Sequence, residues 1–284
     1  MIVLRELAPA KINLYLHITG KRADDYHLLD SLVVFADFND KVEVSPASTL
    51  TLAIEGKYAK ELSATDNTVL KTAEIIKKTF NVSAGAALTL HKNIPIGAGI
   101  GGGSSDAAAT MRLLMRFWKI NPTPKELNAI ALSVGADVPA CLRASSLYMS
   151  GIGEKIEPGP LPTGFSVVLA GIDKPLLTKD VFAKYNGNFS KESNHPFSFP
   201  ASADFIKFLQ KTKNDLQDPA IKLMPEIENI LSALSAEENC LLTRMSGSGA
   251  TCFGLFADKA QAEAAAIRLD EQNPTWWVKT ANIR

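Results

Sequence analysis

Residues 93–109 read NIPIGAGIGGGSSDAAA and include five glycines. Glycine adopts positive φ without steric cost and leaves backbone amides open to a ligand, so several N–H groups can point at one anion. The residues that follow, AAATMRLLMRFW, carry apolar side chains at helical spacing. The loop therefore leads into a helix N-terminus, where unbonded amides and the macrodipole favour phosphate. We expect Ser104 or Ser105 to cap this helix, and the segment predicts a phosphate-binding loop in preference to a flexible surface turn.

The spacing of this loop excludes the best-known phosphate motifs. The Walker A pattern requires a lysine, and residues 93–111 contain none. Gly97, Gly99 and Gly102 match the dinucleotide pattern GxGxxG formally, but residues 107–124 lack the acidic residue that would hold the ribose. The HRD and DFG motifs of protein kinases do not occur in the chain. The loop is therefore typical of another class of nucleotide-binding protein.

The composition predicts two domains without a general affinity for nucleic acid or membranes. The chain has 284 residues, of which 46% are apolar, so it can bury a substantial core. Thirty basic residues balance thirty acidic ones, which leaves no overall field to attract a polyanion or an anionic bilayer. Any anion-binding site must therefore be local.

The cysteines and the N-terminus predict a soluble, cytoplasmic protein. Cys141, Cys240 and Cys252 are far apart and lack CxxC spacing, which indicates reduced thiols. The four histidines lack the spacing of zinc ligands. The first residues lack the apolar core of a secretory signal, and no run approaches the roughly eighteen apolar residues that span a bilayer.

The first strong strand pattern carries polar residues that are candidates for ligand binding. Residues 12–18 alternate apolar and polar side chains, which predicts a strand with one buried face. Lys11 and Asn13 lie on the polar face, where they either reach a ligand or form a solvated edge. The following turn, TGKRADDYH, presents Tyr26 and His27, which either stack on a ligand or pack against the next strand.

The pattern continues as strands, a helix, a strand, the glycine loop and its helix. Strands are predicted at residues 32–36, 41–44, 50–54 and 87–91, and a helix follows a cap at Asp66. Thr123, Pro124 and Glu126 form a capping box that begins a helix ending at Gly135.

One acidic residue after this helix is a candidate catalytic group. Asp137 lies in the bend GADVPACL, where Pro139 prevents the helix from continuing. A carboxylate held by such a bend either acts on a ligand or caps a helix as an Asx turn. Asp106 is interpreted as structural, because the dipole favours an acidic residue in the first turn of a helix.

The segment EPGPLPTG, residues 157–164, predicts the domain junction, since three prolines and two glycines interrupt regular structure. The predicted domains are residues 1–160 and 161–284. In the second domain we expect strands at 166–170 and 240–243, helices from Thr178, at 203–212, at 225–235 and after Asp258, and a closing strand at TWWVK. The second glycine cluster, residues 246–249, is either a tight hairpin or a second ligand-binding turn.

Three segments in this order, PAKINLYLHI, PIGAGIGGGSSDAAA and MSGSGATCFGLF, resemble the signature segments of the GHMP small-molecule kinases. The resemblance spans nearly the whole chain. It implies an α+β fold with a ribosomal-protein-S5-like N-terminal domain and a ferredoxin-like C-terminal domain, with ATP and substrate bound between them. A neutral chain without a basic stripe argues against the alternative of a non-catalytic S5-like nucleic-acid-binding protein.

The resemblance also implies roles for particular residues. Asp137 matches the family's catalytic aspartate, and Lys11 matches the lysine beside it. Asn67 and Lys92 match neighbours of the adenine, and Mg²⁺ is expected with the ATP. The remaining ATP-binding residues implied by the resemblance form one loop: Pro95, Ile96, Gly97, Ala98, Gly99, Ile100, Gly101, Gly102, Gly103, Ser104 and Ser105.

Within the superfamily, PAKINL, GKRADDYH and GADVP are similar to kinases that phosphorylate a cytidine-diphosphate ester of methylerythritol in isoprenoid precursor synthesis. Tyr26 and His27 match positions that hold the cytosine, and Asn13 matches a contact of the erythritol end. The second stacking aromatic has no clear counterpart, and Phe182 is the nearest candidate. Homoserine or mevalonate kinases of the same superfamily are the alternative, and a monomer or weak homodimer is expected.

Overall fold

The computed structural model describes residues 3–284, in which helices and β-sheets are mixed. The strands are β1 (Leu4–Lys21), β2 (His27–Ser45), β3 (Leu50–Glu55), β4 (Ala86–His91), β5 (Leu147–Gly151), β6 (Lys155–Pro158), β7 (Ser166–Ile172), β8 (Leu242–Met245), β9 (Cys252–Phe256) and β10 (Trp276–Asn282). The helices are α1 (Thr68–Thr79), α2 (Gly102–Phe117), α3 (Pro124–Val134), α4 (Val138–Arg143), α5 (Thr178–Lys184), α6 (Ser202–Gln210), α7 (Gln217–Leu223), α8 (Glu226–Ala236) and α9 (Lys259–Gln272).

The chain folds into two compact units that interleave along the sequence. The first unit contains residues up to 10, 39–96 and 101–144, and the second contains residues 11–38, 97–100 and 145–284. The glycine loop passes through both units. This division by spatial contacts differs from a single cut in the chain, and the predicted domain junction near residue 160 stays a prediction.

In the first unit, helices α1 to α4 accompany a part of the sheet that includes β3, β4 and the end of β2. Residues 41–45 of β2 pair antiparallel with β4, and β3 pairs parallel with β4. Helix α2 is buried over most of its length, from Ser105 to Met115, and packs against α1 and α4. Small side chains such as those of residues 107–109 permit this close packing of helices.

The second unit is built on a four-stranded antiparallel sheet in the order β10-β7-β9-β8. The central strands β7 and β9 are almost entirely buried, and α8 and α9 pack against the sheet. Residues 29–33 of β2 pair with β5 in the same unit, and β5 pairs with β6. The core of this unit includes Leu16, Val168, Ile227, Phe256 and Leu269.

Several local predictions are confirmed, and others are wrong for identifiable reasons. The capping box at Thr123 and the helix end at Gly135 are confirmed, as is the Asp258 cap of α9. The cap of α1 is Asn67 instead of Asp66. The strands predicted at 32–36 and 41–44 are one strand, because the carboxylate of Asp40 is satisfied inside the protein. Helix α7 was missed, because it is only seven residues long and has a proline, Pro219, in its first turn.

Strand β1 is longer and more buried than its alternating pattern predicts. It extends from Leu4 to Lys21, and residues 8–17 are buried on both faces. The polar side chains of Lys11 and Asn13 are only 4% and 1% exposed. The interpretation of these two residues as a solvated edge is therefore wrong.

Candidate active site

The first part of the glycine loop, residues 97–100, lies in the second unit against the turn that joins β8 and β9. The amide of Thr251 donates to Ala98 O (3.1 Å), the hydroxyl of Ser246 to Gly99 O (3.4 Å), and the amide of Lys11 to Ile100 O (2.9 Å). The second glycine cluster connects the antiparallel strands β8 and β9, as predicted for a hairpin, and its Ser246 hydroxyl supports the loop; a ligand-binding role for this turn stays a prediction.

Gly99 is fixed by this close approach of two backbones. Its φ is +74°, and a Cβ built there would lie 2.3 Å from the carbonyl oxygen of Gly249. Both the conformation and the space require glycine, because L-residues rarely adopt positive φ and no real Cβ approaches an oxygen so closely.

For the phosphate-binding role that the sequence predicts for this loop, we expect Gly99→Ala to raise KM for ATP roughly tenfold or more, because the loop must shift to accommodate the methyl group. Steady-state kinetics with ATP varied measure this effect. Gly187→Ala is the matched control, since Gly187 has φ +84° but nothing within 4 Å of its Cβ position. A loop role for Gly99 is rejected if the two variants show the same small change.

The second part of the loop lies in the first unit and begins α2. The N-cap is Gly101 in the left-handed conformation (φ +66°), and within residues 3–284 no side chain caps this helix. The expected serine cap is wrong, because the hydroxyl of the buried Ser105 donates to Pro9 O (2.6 Å). A helix leaves its first amides without intrahelical partners. The N-terminus of α2 therefore has the chemistry of an anion site.

A buried ion cluster in the first unit connects the entry of the loop to the first turn of α2. The ammonium group of Lys92 donates to Asp106 Oδ2 (2.7 Å) and to Asp40 Oδ2. The other oxygen of Asp40 accepts from the amides of Asn93 (2.6 Å) and Ile94 (2.8 Å). All three charged side chains are at most 4% exposed. The cluster agrees with a structural role for Asp106, whereas Asp40 was missed by sequence analysis.

The pKa values in this cluster are shifted by burial and by the presence of two carboxyl groups around one ammonium group. Burial raises the pKa of the Asp106 carboxyl most, Lys92 lowers it and Asp40 raises it again, so that it reaches about 8. For Lys92, burial alone lowers the pKa, but the two carboxylates outweigh that effect and the pKa is raised. Lys92 therefore stays charged, with its ammonium committed to the protein.

Asp137 is half-buried and precedes α4 in the first unit. Its backbone carbonyl accepts a hydrogen bond from the amide of Cys141 (3.1 Å). Within residues 3–284, its carboxylate forms no capping hydrogen bond with α4. Asp137 is therefore the N-cap residue of α4, but its side chain does not form the capping hydrogen bond. Helix α4 packs against α2, and Arg112 of α2 donates to the carbonyl of Cys141 (2.9 Å).

Asn13 carries a buried acceptor that the described part of the chain does not satisfy. Its amide nitrogen Nδ2 donates to Ser31 Oγ (2.8 Å), and its backbone N–H donates to Ser246 Oγ (3.1 Å). Its Oδ1 atom has no hydrogen-bond partner within residues 3–284. An unsatisfied buried acceptor costs about 1–3 kcal/mol, so a ligand that donates a hydrogen bond to this atom would recover that energy.

Two of the three aromatic residues proposed for a base, His27 and Phe182, come together in the second unit. The rings of His27 and Phe182 are 5.2 Å apart with an angle of 34° between their planes. Tyr185, which sequence analysis missed, meets His27 edge-on at 5.8 Å. Tyr26 is 61% exposed. Burial lowers the pKa of His27, as does Lys21, while Asp25 raises it. His27 is therefore a neutral imidazole near pH 7.

Asn67, predicted beside the adenine, is buried in the first unit. Its Oδ1 accepts from the amide of Val69 (2.9 Å), so this atom already caps α1. An adenine contact for Asn67 or Lys92 stays a prediction, and both side chains have structural partners.

Two further properties bear on the class of protein. No helix within residues 3–284 is both long enough and apolar enough to cross a bilayer. The same residues contain no cluster of three or more His, Cys, Asp or Glu side chains suited to holding a metal ion.

Comparison with known proteins shows the class to which this chain belongs. The glycine loop that begins a helix and the two-domain α+β fold are those of ATP-dependent small-molecule kinases. The family model of the GHMP kinases N terminal domain matches residues 67–145, and the model of the GHMP kinases C terminal domain matches residues 201–275. A homoserine kinase from Cytophaga hutchinsonii has a TM-score of 0.74 at 15% identity, covering 99% of this chain and 95% of that one. It is similar in fold.

Relatives of higher identity define the family further. The 4-diphosphocytidyl-2-C-methyl-D-erythritol kinase of Paramagnetospirillum magneticum is 46% identical, with 97% of each chain covered, and that of Chelativorans sp. is 41% identical, with 98% of this chain and 95% of the relative covered. A crystal structure of 4-(cytidine 5'-diphospho)-2C-methyl-D-erythritol kinase has a TM-score of 0.80 at 29% identity, covering 98% of this chain and 99% of that one. The chain belongs to the 4-diphosphocytidyl-2-C-methyl-D-erythritol kinase family of GHMP kinases.

Proposed function

We propose that this chain transfers the γ-phosphoryl group of ATP to the 2-hydroxyl of 4-diphosphocytidyl-2-C-methyl-D-erythritol, a step of non-mevalonate isoprenoid precursor synthesis. The observation that carries the proposal is 46% identity over nearly the full length to a relative of that name. The ring pair of His27 and Phe182 adds a place for the cytosine, because bases stack on aromatic side chains.

Asp137 is assigned the role of general base, which takes the proton from the attacking hydroxyl. Its side chain is half-buried at the start of α4, in the bend whose aspartate the family resemblance matches to the catalytic one, and a carboxylate can act as a general base. Lys11 contributes positive charge that stabilises the attacking oxygen. The buried setting of Lys11 strengthens its electrostatic effect, because nearby water is largely excluded.

The loop of residues 95–105 is assigned to the phosphates of ATP. Phosphoryl transfer requires positioning and charge neutralisation more than covalent chemistry. The amides that begin α2 supply fixed partial positive charge to the phosphates. Mg²⁺ is proposed as the companion of ATP, and it would neutralise phosphate charge. Besides the phosphates and waters, it needs only one or two protein oxygens.

The substrate's ends are assigned to two sets of residues in the second unit. Asn13 offers its unsatisfied Oδ1 to a hydroxyl of the erythritol. Tyr26, His27 and Phe182 are assigned to the cytosine, and His27, being neutral, offers one donor and one acceptor. The contact of the His27 and Phe182 rings supports recognition of a planar group.

We expect Tyr26→Ala to raise KM for the cytidine substrate by about 5- to 100-fold, since stacking is worth roughly 1–3 kcal/mol per base. KM for ATP should remain near the wild-type value. Arg22→Ala is the control, because Arg22 lies in the same exposed turn and pairs with Asp24. Equal increases for both substrates, or an equal effect of the control, would contradict the assignment.

A coupled ADP-release assay tests the proposed function directly. The wild-type protein is offered 4-diphosphocytidyl-2-C-methyl-D-erythritol, homoserine and mevalonate side by side at equal concentrations. Turnover of the cytidine substrate in excess of the other two is the expected result. Turnover of homoserine or mevalonate alone would refute the substrate while leaving the family unchanged.

A further inference from the structure

The imidazole of His27 is held between two rings of the segment at the end of α5. Phe182 lies at 5.2 Å and 34°, and Tyr185 lies at 5.8 Å and 84°, so Tyr185 presents a nearly perpendicular ring. Edge-to-face pairs are attractive, because the positive edge of one ring meets the negative face of the other. His27 is therefore fixed from two directions.

Tyr185 is itself fixed, which makes it suitable as a support. Its backbone N–H donates to Phe182 O (3.1 Å) at the end of α5, and its hydroxyl donates to Asn188 O (2.5 Å). The hydroxyl bond closes the short segment after the helix, and Phe189 packs against the Tyr185 ring at 6.3 Å. Tyr185 thus has little rotational freedom.

We propose that Tyr185 is a positioning residue for base recognition, whose ring holds the imidazole of His27 in the orientation that meets the cytosine of the substrate. The inference rests on the proposed function and deepens it. His27 and Phe182 are each half-buried, and Tyr26 is 61% exposed, so their rings keep surface that a planar base can reach. Tyr185 acts through His27 and not by stacking on the base.

Tyr185 also shields His27 from water, which favours the neutral imidazole. Burial is the largest cause of the lowered pKa of His27. The charged groups that face it are Lys21 of β1, which lowers the pKa, and Asp25 of the following turn, which raises it. Tyr185 is uncharged, since burial and then Asp215 raise its pKa to about 12. Removal of the Tyr185 ring should therefore raise the pKa of His27 towards its ordinary value.

The test uses Tyr185→Ala and Tyr185→Phe in the full-length protein. Tyr185→Ala should raise KM for the cytidine substrate about two- to tenfold, the range that corresponds to one aromatic pair, with KM for ATP unchanged. An NMR titration of the His27 ring, assigned with His27→Gln, should show a higher pKa in Tyr185→Ala. Tyr185→Phe keeps the ring against His27 and loses only the hydroxyl bond to Asn188 O, so both properties should lie much closer to wild type than in Tyr185→Ala. Phe197→Ala, at a 72% exposed aromatic residue, is the matched control.

The outcomes separate this inference from the proposed function. Unchanged KM and an unchanged His27 titration in Tyr185→Ala would overturn the inference, as would a rise in KM for ATP equal to that for the cytidine substrate. Binding of cytidine 5′-diphosphate, followed by the His27 resonances, should be weaker in Tyr185→Ala than in Tyr185→Phe, and equal binding also overturns the inference. Failure of the proposed function appears separately, as wild-type protein that does not turn over the cytidine substrate, and overturns both.

Discussion

Asp137→Asn is expected to lower kcat by about 10²–10⁴-fold, the usual contribution of a general base. The amide is similar in size to the carboxylate but cannot accept the proton of the attacking hydroxyl. KM for ATP should stay near the wild-type value, because the phosphate loop is built from backbone amides that the substitution does not touch. Single-turnover kinetics of ADP formation measure the chemical step directly.

The backbone bond at the start of α4 does not depend on the Asp137 side chain. The carboxylate of Asp137 does not cap α4, as far as residues 3–284 show, and the helix instead uses the backbone carbonyl of Asp137 to accept from Cys141. Asparagine preserves that carbonyl, so the fold should be retained. Asp270→Asn, at an exposed position of α9, is the control. A variant at Asp137 that turns over at the wild-type rate would exclude this residue as the base.

A residual rate is expected in the Asp137 variant. Positioning of the two substrates and stabilisation of phosphate charge do not depend on the general base. In the proposed mechanism, the backbone of the glycine loop and of the N-terminus of α2 supplies these effects. The loop substitution Gly99→Ala should therefore act mainly on ATP binding, whereas Asp137→Asn should act mainly on kcat.

The parts of the site that sequence predicts are those set by local chemistry. The glycine loop before a helix follows from φ preferences within a dozen residues, and the capping box at Thr123 follows from four adjacent residues. The prediction of a serine cap was wrong, because the hydroxyl of Ser105 donates a hydrogen bond to the carbonyl of Pro9, 96 positions earlier in the chain. Nothing in the local sequence reveals that partner.

The remaining parts depend on contacts between distant segments. Lys92 meets Asp40 across 52 positions, and a polar residue within a strand is ordinarily interpreted as solvent-facing. Lys11 and Asn13 follow an alternating pattern that predicts exposure, yet both are buried. Tyr185 meets His27 from another part of the chain. The sequence spacing identifies Phe182 and Tyr185 as neighbours, because they are three residues apart at the end of a helix. It does not reveal that both rings contact His27.

Lys92→Met is expected to lower the free energy of unfolding by about 3–5 kcal/mol, because removing one member of a buried ion pair leaves an uncompensated charge. The ammonium joins two carboxylates that are at most 4% exposed, and methionine fills its volume without replacing its charge. Urea denaturation of both proteins at one pH measures the difference. Lys71→Met is the matched control, since Lys71 pairs with Asp66 at the surface, where exposed pairs contribute about 0–1 kcal/mol.

Asp106→Asn should lower the free energy of unfolding much less than Lys92→Met. The difference between the two variants identifies which carboxyl group stabilises the buried ammonium of Lys92. Burial and Asp40 raise the pKa of Asp106 against the effect of Lys92, to about 8, so this carboxyl readily holds a proton near neutral pH. Asp40 holds Lys92 with its Oδ2, and its Oδ1 accepts from two backbone amides that begin the glycine loop. The Lys92–Asp40 pair therefore carries the stabilisation. A loss in Asp106→Asn as large as that in Lys92→Met would show instead that both carboxylates are charged in the folded protein.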